Sequence, residues 1–373
     1  GGSVTRFLRV VHTEASRGLG GQEKRILLEA VSLRGRGHDV LLVGQPDGLL
    51  RREAERAGVP FRPVAMRFVC DPAALWSFIR LFREVRPDIV HTHSSKDSWL
   101  AGLAGRLLGL PVVRTRHVSI PVSGHRLNWA YRLPHLVMTT ADRIRGMLVE
   151  EGVCDQSRVK VLPTGVDLSR FREGIPPCVF RGEVGLPEGV PAVGIVAQLR
   201  QSKGHEHFLR AARLLRDRGS NARFFVVGDG HWRDIFREEA RRLGVLDGTV
   251  AFLGYREDIP EVMAGLDLLV IASTRTEGIP QVALQAMAMG LPIVGTDIGG
   301  VPEAIRPSGA GVVVPVGDPP ALAAAVEGLL ADPSRRARMG EAGRAFVRER
   351  HSLERMLEET VLAYEEVLAS CAR

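Results

Sequence analysis

Two successive series of apolar, β-branched runs constrain the fold of this chain more than any other feature of its sequence. The first series lies at 7–13, 39–44, 88–93, 111–117, 136–140 and 159–163, and the second at 192–198, 223–230, 250–255, 266–274, 291–297 and 311–316. Segments between the runs carry helical spacing, for example from Ala73 to Val85 and from Asp97 to Leu108. Apolar strands that alternate with helices predict an α/β class, with a helix-covered parallel sheet in each half.

A segment rich in proline and glycine separates the two series. Residues 172–191 contain four prolines and four glycines and show no helical or strand period. We therefore predict a first domain at 1–172, a linker at 173–190 and a second domain at 191–352. The chain of 373 residues is long enough for two domains. Its last part, 334–372, has a helical pattern broken near His351, and we expect the final helix, about 353–373, to pack back on the first domain.

Charge divides unevenly between the two halves. Residues 1–172 carry a net charge of +11, whereas residues 173–373 carry −4. The basic half has no basic-aromatic or zinc-finger motif, which argues against nucleic acid as a partner. An anionic membrane surface or a phosphorylated substrate fits the charge better. The arginines concerned are Arg67, Arg114, Arg116, Arg126 and Arg132.

The stretch 124–136, GHRLNWAYRLPHL, places Trp129 and Tyr131 between two arginines. This pattern suits a membrane interface, and it equally suits a core helix with solvated arginines. The four cysteines lie far apart without a CxxC pair, and no run of 18 apolar residues is present. We therefore expect a cytoplasmic protein with reduced thiols, with peripheral contact on the inner face of the membrane as a further expectation.

The glycine-rich turns do not fit a dinucleotide-binding enzyme. Such an enzyme needs G-x-G-x-x-G directly after a strand. The loops 18–23 and 228–233 read GLGGQE and GDGHWR, and neither has that spacing. A dehydrogenase is therefore disfavoured.

Two strand ends in the second half combine features that bind anions. Arg200 and Lys203 follow the strand 192–198, and the segment beginning at Arg275 follows the strand 266–274. Gly278 allows close approach of the backbone, and Pro280 suits the first turn of a helix whose amides are unpaired. Two cations and a helix N-terminus at neighbouring strand ends predict a pocket for a diphosphate.

At these positions the chain resembles the retaining glycosyltransferases of family 4. The matching segments are the loop 18–23, VRTRH (113–117), LPTGVD (162–167), QLRQSKG (198–204), GDG (228–230) and TEGIPQVALQAMAMGLPIVGTDIGGVPE (276–303). The resemblance covers nearly the whole chain, and the last segment is the most specific because it contains the Glu-x7-Glu region of the family. It implies the GT-B fold, with two doubly wound Rossmann-like domains facing each other across a cleft.

Three positions depart from the pattern of the family. Gln285 stands at the second acidic position of Glu-x7-Glu, Thr164 at the usual Asn of the P-N-G-V-D turn, and Gln198 at a usual Arg. In the family the second acid holds the ribose hydroxyls of the donor. A neutral amide accepts one hydrogen bond and donates another, without the strength that charge adds.

The resemblance also implies roles for single residues. Glu277 would bind the hydroxyls of the donor sugar, and His117 would lie near the transferred sugar; together with Arg200 and Lys203 they form the predicted catalytic set. The predicted donor-binding residues are Gly20, Gly21, Arg200, Lys203, Gly228, Tyr255, Arg256, Glu277, Gly278, Ile279, Pro280 and Gln285. The predicted acceptor-binding residues are His93, Arg114 and Arg116. We interpret Asp258 as a helix cap.

These implications together predict the reaction. A sugar would move from a UDP-, GDP- or ADP-sugar to a glycan or lipid-linked acceptor, in the synthesis of a cell-envelope polysaccharide, lipopolysaccharide or glycolipid. The configuration of the sugar would be retained by a front-face mechanism. Two alternatives stay open: a catalytically silent nucleotide-sugar sensor, which Gln285 suggests, and another GT-B enzyme such as an epimerase or phosphorylase.

We predict that activity survives EDTA, because the sequence offers no set of ligands spaced to hold a cation on the diphosphate. His91 and His93 form an H-x-H pair, but no third ligand with suitable spacing is evident. The measurement is the turnover of desalted enzyme with and without chelator. A loss of activity that magnesium or manganese restores would contradict the roles given to Arg200 and Lys203.

Overall fold

Two parallel sheets organise the chain, one in each of the units into which it divides. The structure, a computed structural model, describes residues 6–117, 129–275 and 277–372. The first unit comprises Gly1–Thr164 with Glu354–Arg373, and the second comprises Gly165–Leu353. Two parallel α/β sheets, as the alternating strands and helices predict, are therefore confirmed.

The first unit contains a seven-stranded sheet of order β3-β2-β1-β4-β5-β6-β7. Its strands are β1 Arg9–Glu14, β2 Asp39–Gly44, β3 Phe61–Pro63, β4 Ile89–Thr92, β5 Val112–Arg116, β6 Leu136–Thr139 and β7 Val159–Val161. Strand β3 is absent from the predicted strands. This edge strand has only three residues, two of which are exposed, so it lacks the apolar pattern of a buried strand.

Helices cover both faces of this sheet. They are α1 Gly21–Gly35, α2 Leu49–Arg56, α3 Pro72–Val85, α4 Ser95–Leu107, α5 Trp129–Arg132, α6 Asp142–Glu150 and, at the C-terminus, α15 Leu353–Cys371. One face is apolar, because Val11, Val90 and Val112 pack with buried residues of α3 and α4. The opposite face is polar near the carboxyl ends of the strands, where Glu29 of α1 and Tyr364 of α15 lie close to His12 and His91.

The segment that suggested a membrane interface belongs in part to the core. Tyr131 of α5 is buried, and the guanidinium of Arg114 lies 4.0 Å from the centroid of its ring. Tyr131 is therefore a core residue, which agrees with the core-helix alternative and not with the membrane-interface alternative. Arg126 lies outside the described residues. No helix among the described residues combines the length and apolar composition that crossing a membrane requires.

The second unit contains a six-stranded sheet of order β10-β9-β8-β11-β12-β13. Its strands are β8 Ala192–Val196, β9 Arg223–Val227, β10 Val250–Gly254, β11 Leu268–Ile271, β12 Ile293–Thr296 and β13 Gly311–Val314. Its helices are α7 Pro177–Glu183, α8 His205–Asp217, α9 Arg233–Arg242, α10 Ile259–Gly265, α11 Gln281–Ala288, α12 Val301–Ser308, α13 Pro319–Leu330 and α14 Pro333–Arg350. Two apolar clusters of buried residues form its core.

The expected linker at 173–190 is instead part of the second unit. It contains α7, whose Phe180 is fully buried with its ring centroid 5.4 Å from that of Phe225. The unit begins earlier than predicted, at Gly165, because the Val166 amide donates to the His351 carbonyl at 2.7 Å. The prolines and glycines hide this helix in the sequence, because α7 has only seven residues and buries one large side chain.

We predict that Phe180→Ala lowers the free energy of unfolding by about 3–5 kcal/mol, because it leaves a cavity in the core of the second unit. The adjacent Val179 is 53 % exposed and supplies the control. Val179→Ala should change stability by less than about 0.5 kcal/mol. Urea denaturation of both variants is the measurement. Equal and small effects would mean that α7 is loosely attached and behaves as a linker.

Candidate active site

Two loops of the second unit pack together at the carboxyl ends of β8 and β11. After β8 the chain forms a single 3-10 turn, Gln201–Lys203, and reaches α8 through Gly204. Gly204 has a φ of +68°, and a Cβ at this position would lie 1.8 Å from the Ala272 carbonyl oxygen. The Thr274 amide also donates to the Ser202 carbonyl at 2.9 Å. Only glycine permits this close approach, which packs the two loops directly against each other.

The contact between the loops joins two predicted site residues. The Lys203 ammonium forms an ion pair with Oε2 of Glu277, and the Ser273 hydroxyl donates to Oε1 of the same carboxylate. Ser273 is buried, whereas the Lys203 and Glu277 side chains are partly exposed. Ser273 is not among the predicted residues, and its position two residues after β11 is the signal that could have identified it.

The loop after β12 contacts the backbone at Glu277. The Gly300 amide donates to the Glu277 carbonyl at 2.8 Å. Pro280 precedes α11 as its N-cap residue, one position earlier than expected, and Gly278 and Ile279 lie between it and Glu277. Gln285 is partly buried on α11, one turn after Gln281.

Arg200 and Gly228 also lie at this edge of the sheet. Arg200 is exposed, and its guanidinium pairs with no carboxylate of the described residues. Gly228 follows β9 with a φ of +136°, and a Cβ there would lie 2.0 Å from the Ala197 carbonyl oxygen. The close approach of two loops thus explains why residue 228 is a glycine, whether or not it also contacts a donor.

Tyr255 and Arg256 follow β10 and have different surroundings. Tyr255 is 60 % exposed. Arg256 forms ion pairs with Glu183 of α7 and with Asp258, and these hydrogen bonds raise the pKa of its guanidinium above the ordinary value. Asp258 was expected to cap α10, but its carboxylate makes no capping hydrogen bond and holds Arg256 instead. The Arg256 side chain therefore fastens α7 to this loop.

In the first unit the structure joins two predicted residues, His93 and His117. Nδ1 of His93 lies 3.1 Å from Nε2 of His117, and Nε2 of His93 lies 3.0 Å from Nδ1 of His12. Burial lowers the pKa of each of these imidazoles, of His12 to about 3, so all three are neutral near pH 7.

The structure supplies the third histidine that the sequence did not reveal. His12, His91 and His93 each offer a ring nitrogen within 4.8 Å of the others. Both nitrogens of His91, however, already have hydrogen-bond partners: Nδ1 lies 2.6 Å from the Tyr364 hydroxyl and Nε2 lies 2.7 Å from the Thr115 hydroxyl. No sequence spacing indicates this third histidine, because His12 is distant in sequence and adjacent only through strand pairing.

The acceptor role predicted for Arg114 is wrong. Arg114 is only 1 % exposed, and its guanidinium donates to the Ala130 carbonyl at 2.9 Å while covering the Tyr131 ring. Arg116 is partly exposed at the end of β5 and lies on the same face of the strand as Arg114. His117 leaves the strand on the other face. Arg116 is therefore the one of the two arginines that is accessible.

Gly20 and Gly21 lie at the N-terminus of α1, beside a cavity of about 430 Å³. The cavity is lined by Glu14, Ala15, Ser16, Gln22, Glu23, Val69, Ser94, Ser95 and Lys96. The Gly20 amide donates to the Glu23 carboxylate at 2.6 Å. Burial, followed by the charge of Asp97, raises the pKa of Glu14 to about 8. The Ser16 amide donates to this carboxyl at 2.8 Å, and the Gln22 amide donates to it as well.

Both units match known families. Residues 19–170 match the model of "Glycosyltransferase Family 4", and residues 179–346 match the model of "Glycosyl transferases group 1". The 2-deoxystreptamine N-acetyl-D-glucosaminyltransferase of Streptomyces fradiae is 32% identical over 85% of this chain and 84% of its own length. The 2-deoxystreptamine glucosyltransferase of Streptomyces kanamyceticus is 30% identical over 79% of this chain and 82% of its own.

A solved structure shares the fold of the whole chain. The crystal structure of Anabaena Alr3699/HepE in complex with UDP superimposes with a TM-score of 0.85, covering 96% of this chain and 100% of the other, at 20% sequence identity. Similarity at this level of identity concerns the fold.

We predict that Glu14→Gln removes a pH-dependent loss of stability. Because the pKa of Glu14 rises from 4.5 to about 8 on folding, the folded chain binds the proton more tightly. The stability that this proton provides is complete below about pH 4.5 and is lost as pH rises towards 8. At pH 8.5 the variant should exceed the wild type by roughly 1–4 kcal/mol, and at pH 4.5 the two should be nearly equal.

Urea denaturation across this pH range is the measurement. Glu84→Gln serves as the control, because Glu84 is exposed and pairs with Arg62 at the surface. Its pH profile should match that of the wild type. The same profile in Glu14→Gln would contradict the raised pKa.

Proposed function

We propose, from the premise that this chain belongs to glycosyltransferase family 4 and is a transferase enzyme, that it moves a sugar from UDP to a hydroxyl group of a small cyclic polyol. The two-domain GT-B fold of the family is established for this chain by its two sheets and by its structural similarity to HepE. The identity of the donor, the class of the acceptor and the retention of configuration are proposals.

The observation that carries the proposal is the ion pair between Lys203 and Glu277 at the carboxyl ends of two adjacent strands. Open α/β sheets bind their ligands at this edge. A donor would separate the pair: a phosphate oxygen takes the ammonium, and sugar hydroxyls donate to the carboxylate. Ser273 keeps one carboxylate oxygen in place meanwhile, so the carboxylate is oriented before the sugar arrives.

Arg200 and Lys203 supply the positive charge that the reaction needs. In the proposed front-face mechanism the bond from the anomeric carbon to the diphosphate breaks, and the acceptor oxygen bonds to the same face of that carbon. A phosphate oxygen of the leaving group takes the acceptor proton, so the departing UDP gains one proton and keeps the bonding electrons. The two cations stabilise the negative charge that grows on the diphosphate in the transition state.

Uracil is the proposed base because the structural neighbour binds UDP. Tyr255, exposed beyond β10, and the backbone beside it are the proposed contacts of the base. Gln285 on α11 is the proposed contact of the ribose, where one amide oxygen accepts from a hydroxyl and the amide nitrogen donates.

Two relatives of this chain support the proposed acceptor class. Both act on 2-deoxystreptamine, an aminocyclitol, which suggests a ring hydroxyl as the nucleophile. The cavity of the first unit supports such an acceptor, since carboxyl, hydroxyl and amide groups of Glu14, Ser94 and Gln22 line it. The lipid-linked glycan expected from the charge of residues 1–172 is the competing acceptor, and a screen of both classes decides between them.

We predict that Lys203→Met and Arg200→Met each lower kcat by roughly ten- to a thousand-fold, because each removes a charge that stabilises the leaving diphosphate. The matched control is Arg218→Met in the same unit, where the arginine pairs with Glu327 at the surface. Turnover of UDP-glucose or UDP-N-acetylglucosamine with 2-deoxystreptamine is the measurement. Full activity in the double variant would remove the proposed diphosphate site.

Binding and hydrolysis assays distinguish the enzyme from a silent sensor. UDP at a hundred times its Kd should stabilise the protein by about 2.7 kcal/mol, and GDP and ADP should stabilise it less. An enzyme should also release UDP slowly from the donor without an acceptor. Binding without any release, in the presence of either acceptor class, would favour the sensor.

A further inference from the structure

One face of the first sheet carries a row of imidazoles. Of these, only His117, at the end of the row, has a role near the transferred sugar in the resemblance to the family. His12 on β1, His91 on β4 and His93 just after it share this face with Thr115 and His117 of the β5 segment. Parallel pairing of His12 with His91 and the two-residue period of the strands place them there. The opposite face at this level carries Val11, Val90 and Val112, together with Thr13, whose hydroxyl donates to Asp97 of α4.

Three of these imidazoles form a continuous chain that ends at His117. His12 contacts His93 through Nδ1 and Nε2 at 3.0 Å, and His93 contacts His117 through Nδ1 and Nε2 at 3.1 Å. The inner end of the chain is Nε2 of His12, which is fully buried and has no hydrogen-bond partner among the described residues. It faces Oε1 of Glu29 at 4.0 Å.

Neutral imidazoles in such a chain must all share one tautomer. Each has a single N–H, so it donates through one nitrogen and accepts through the other. Either every Nε2 carries the proton and donation runs from His117 inwards, or every Nδ1 carries it and donation runs outwards. The two states differ at the outer end, where Nδ1 of His117 is an acceptor in the first and a donor in the second.

Glu29 favours the first state. Burial raises the pKa of Glu29, whereas the charge of Arg25, one turn earlier on α1 and also buried, and the hydrogen bond from Tyr364 both favour the carboxylate form. A carboxylate 4.0 Å from Nε2 of His12 attracts an N–H and repels a lone pair, and low local polarity strengthens this preference. The Tyr364 hydroxyl, 3.4 Å from Glu29 Oε1, is the other donor at this end.

We propose that Glu29, acting through His12 and His93, holds His117 in the Nε2–H tautomer, so that Nδ1 of His117 accepts a hydrogen bond from a substrate hydroxyl. Glu29, His12 and His93 are positioning residues, and only His117 contacts substrate. The substrate contact rests on the proposed function, whereas the tautomer does not. If the buried polar layer served packing alone, apolar residues could replace it. The histidine chain gives these polar residues a function.

The tautomers can be read directly from protein labelled with ¹⁵N at histidine. Long-range ¹H–¹⁵N spectra distinguish Nδ1–H from Nε2–H for each ring, and the loss of one set of signals in His117→Asn assigns His117. The wild type, measured without substrate, should show the Nε2–H form for His12, His93 and His117. An Nδ1–H form of His117 would overturn the proposal.

Glu29→Gln removes the charge that sets the direction of the chain. We expect a second, Nδ1–H population of His117 in this variant. We also expect kcat to fall by up to about tenfold, because that population loses one hydrogen bond to the substrate. Thr115→Val is the matched control: it removes the partner of His91 Nε2 on the same face and leaves the chain intact. It should keep the Nε2–H form and nearly full turnover.

Three outcomes separate the alternatives. An unchanged tautomer in folded Glu29→Gln would overturn the role of Glu29. One equivalent of zinc retained by the wild type after desalting, and lost in His12→Ala, would overturn the chain in favour of a metal site. Wild-type protein that shows the Nε2–H form but transfers no sugar would refute the proposed function and leave the chain standing.

Discussion

Close packing of backbone against backbone at the carboxyl edge of the second sheet is the constraint on which the candidate active site depends. Gly204 lies against the carbonyl of Ala272, and Gly228 lies against that of Ala197, at distances that exclude any side chain. This packing fixes the loops after β8, β9 and β11 relative to one another. Because the backbone already places Lys203 and Glu277 close together, their side chains form an ion pair.

The first unit uses a different principle, a buried polar layer. Burying His12, His91, Arg25 and Glu29 costs free energy unless their polar atoms are paired. Most of these atoms are paired, through Tyr364, Thr115, Thr164 and the histidine chain itself. A layer of this kind gives each ring one orientation. Such a layer suits the end of β5, where the proposed role of His117 depends on the orientation of its ring.

The sequence predicted the class of fold well because long apolar strands and amphipathic helices have distinct periods. It failed where an element is short or lacks that period: β3 has three residues, and α7 has seven in a segment rich in proline and glycine. It also failed for Arg114, since alternation along a strand does not reveal whether a basic side chain will be exposed or will stack on a buried ring such as Tyr131. The motif around Glu277 lies after β11, where the sequence pattern places it, whereas Ser273 belongs to no motif.

By itself, the sequence determined the two α/β units, the family and the residues gathered at the ends of β8 and β11, because each of these follows from local pattern and motif order. Only the tertiary structure decided which side chains touch. The pairing of β1 with β4 brings His12 to His91 across 79 residues, and the return of the C-terminal helix brings Tyr364 to His91. Such contacts are set by strand order and helix packing, which act between residues distant along the chain and therefore leave no local signature in the sequence.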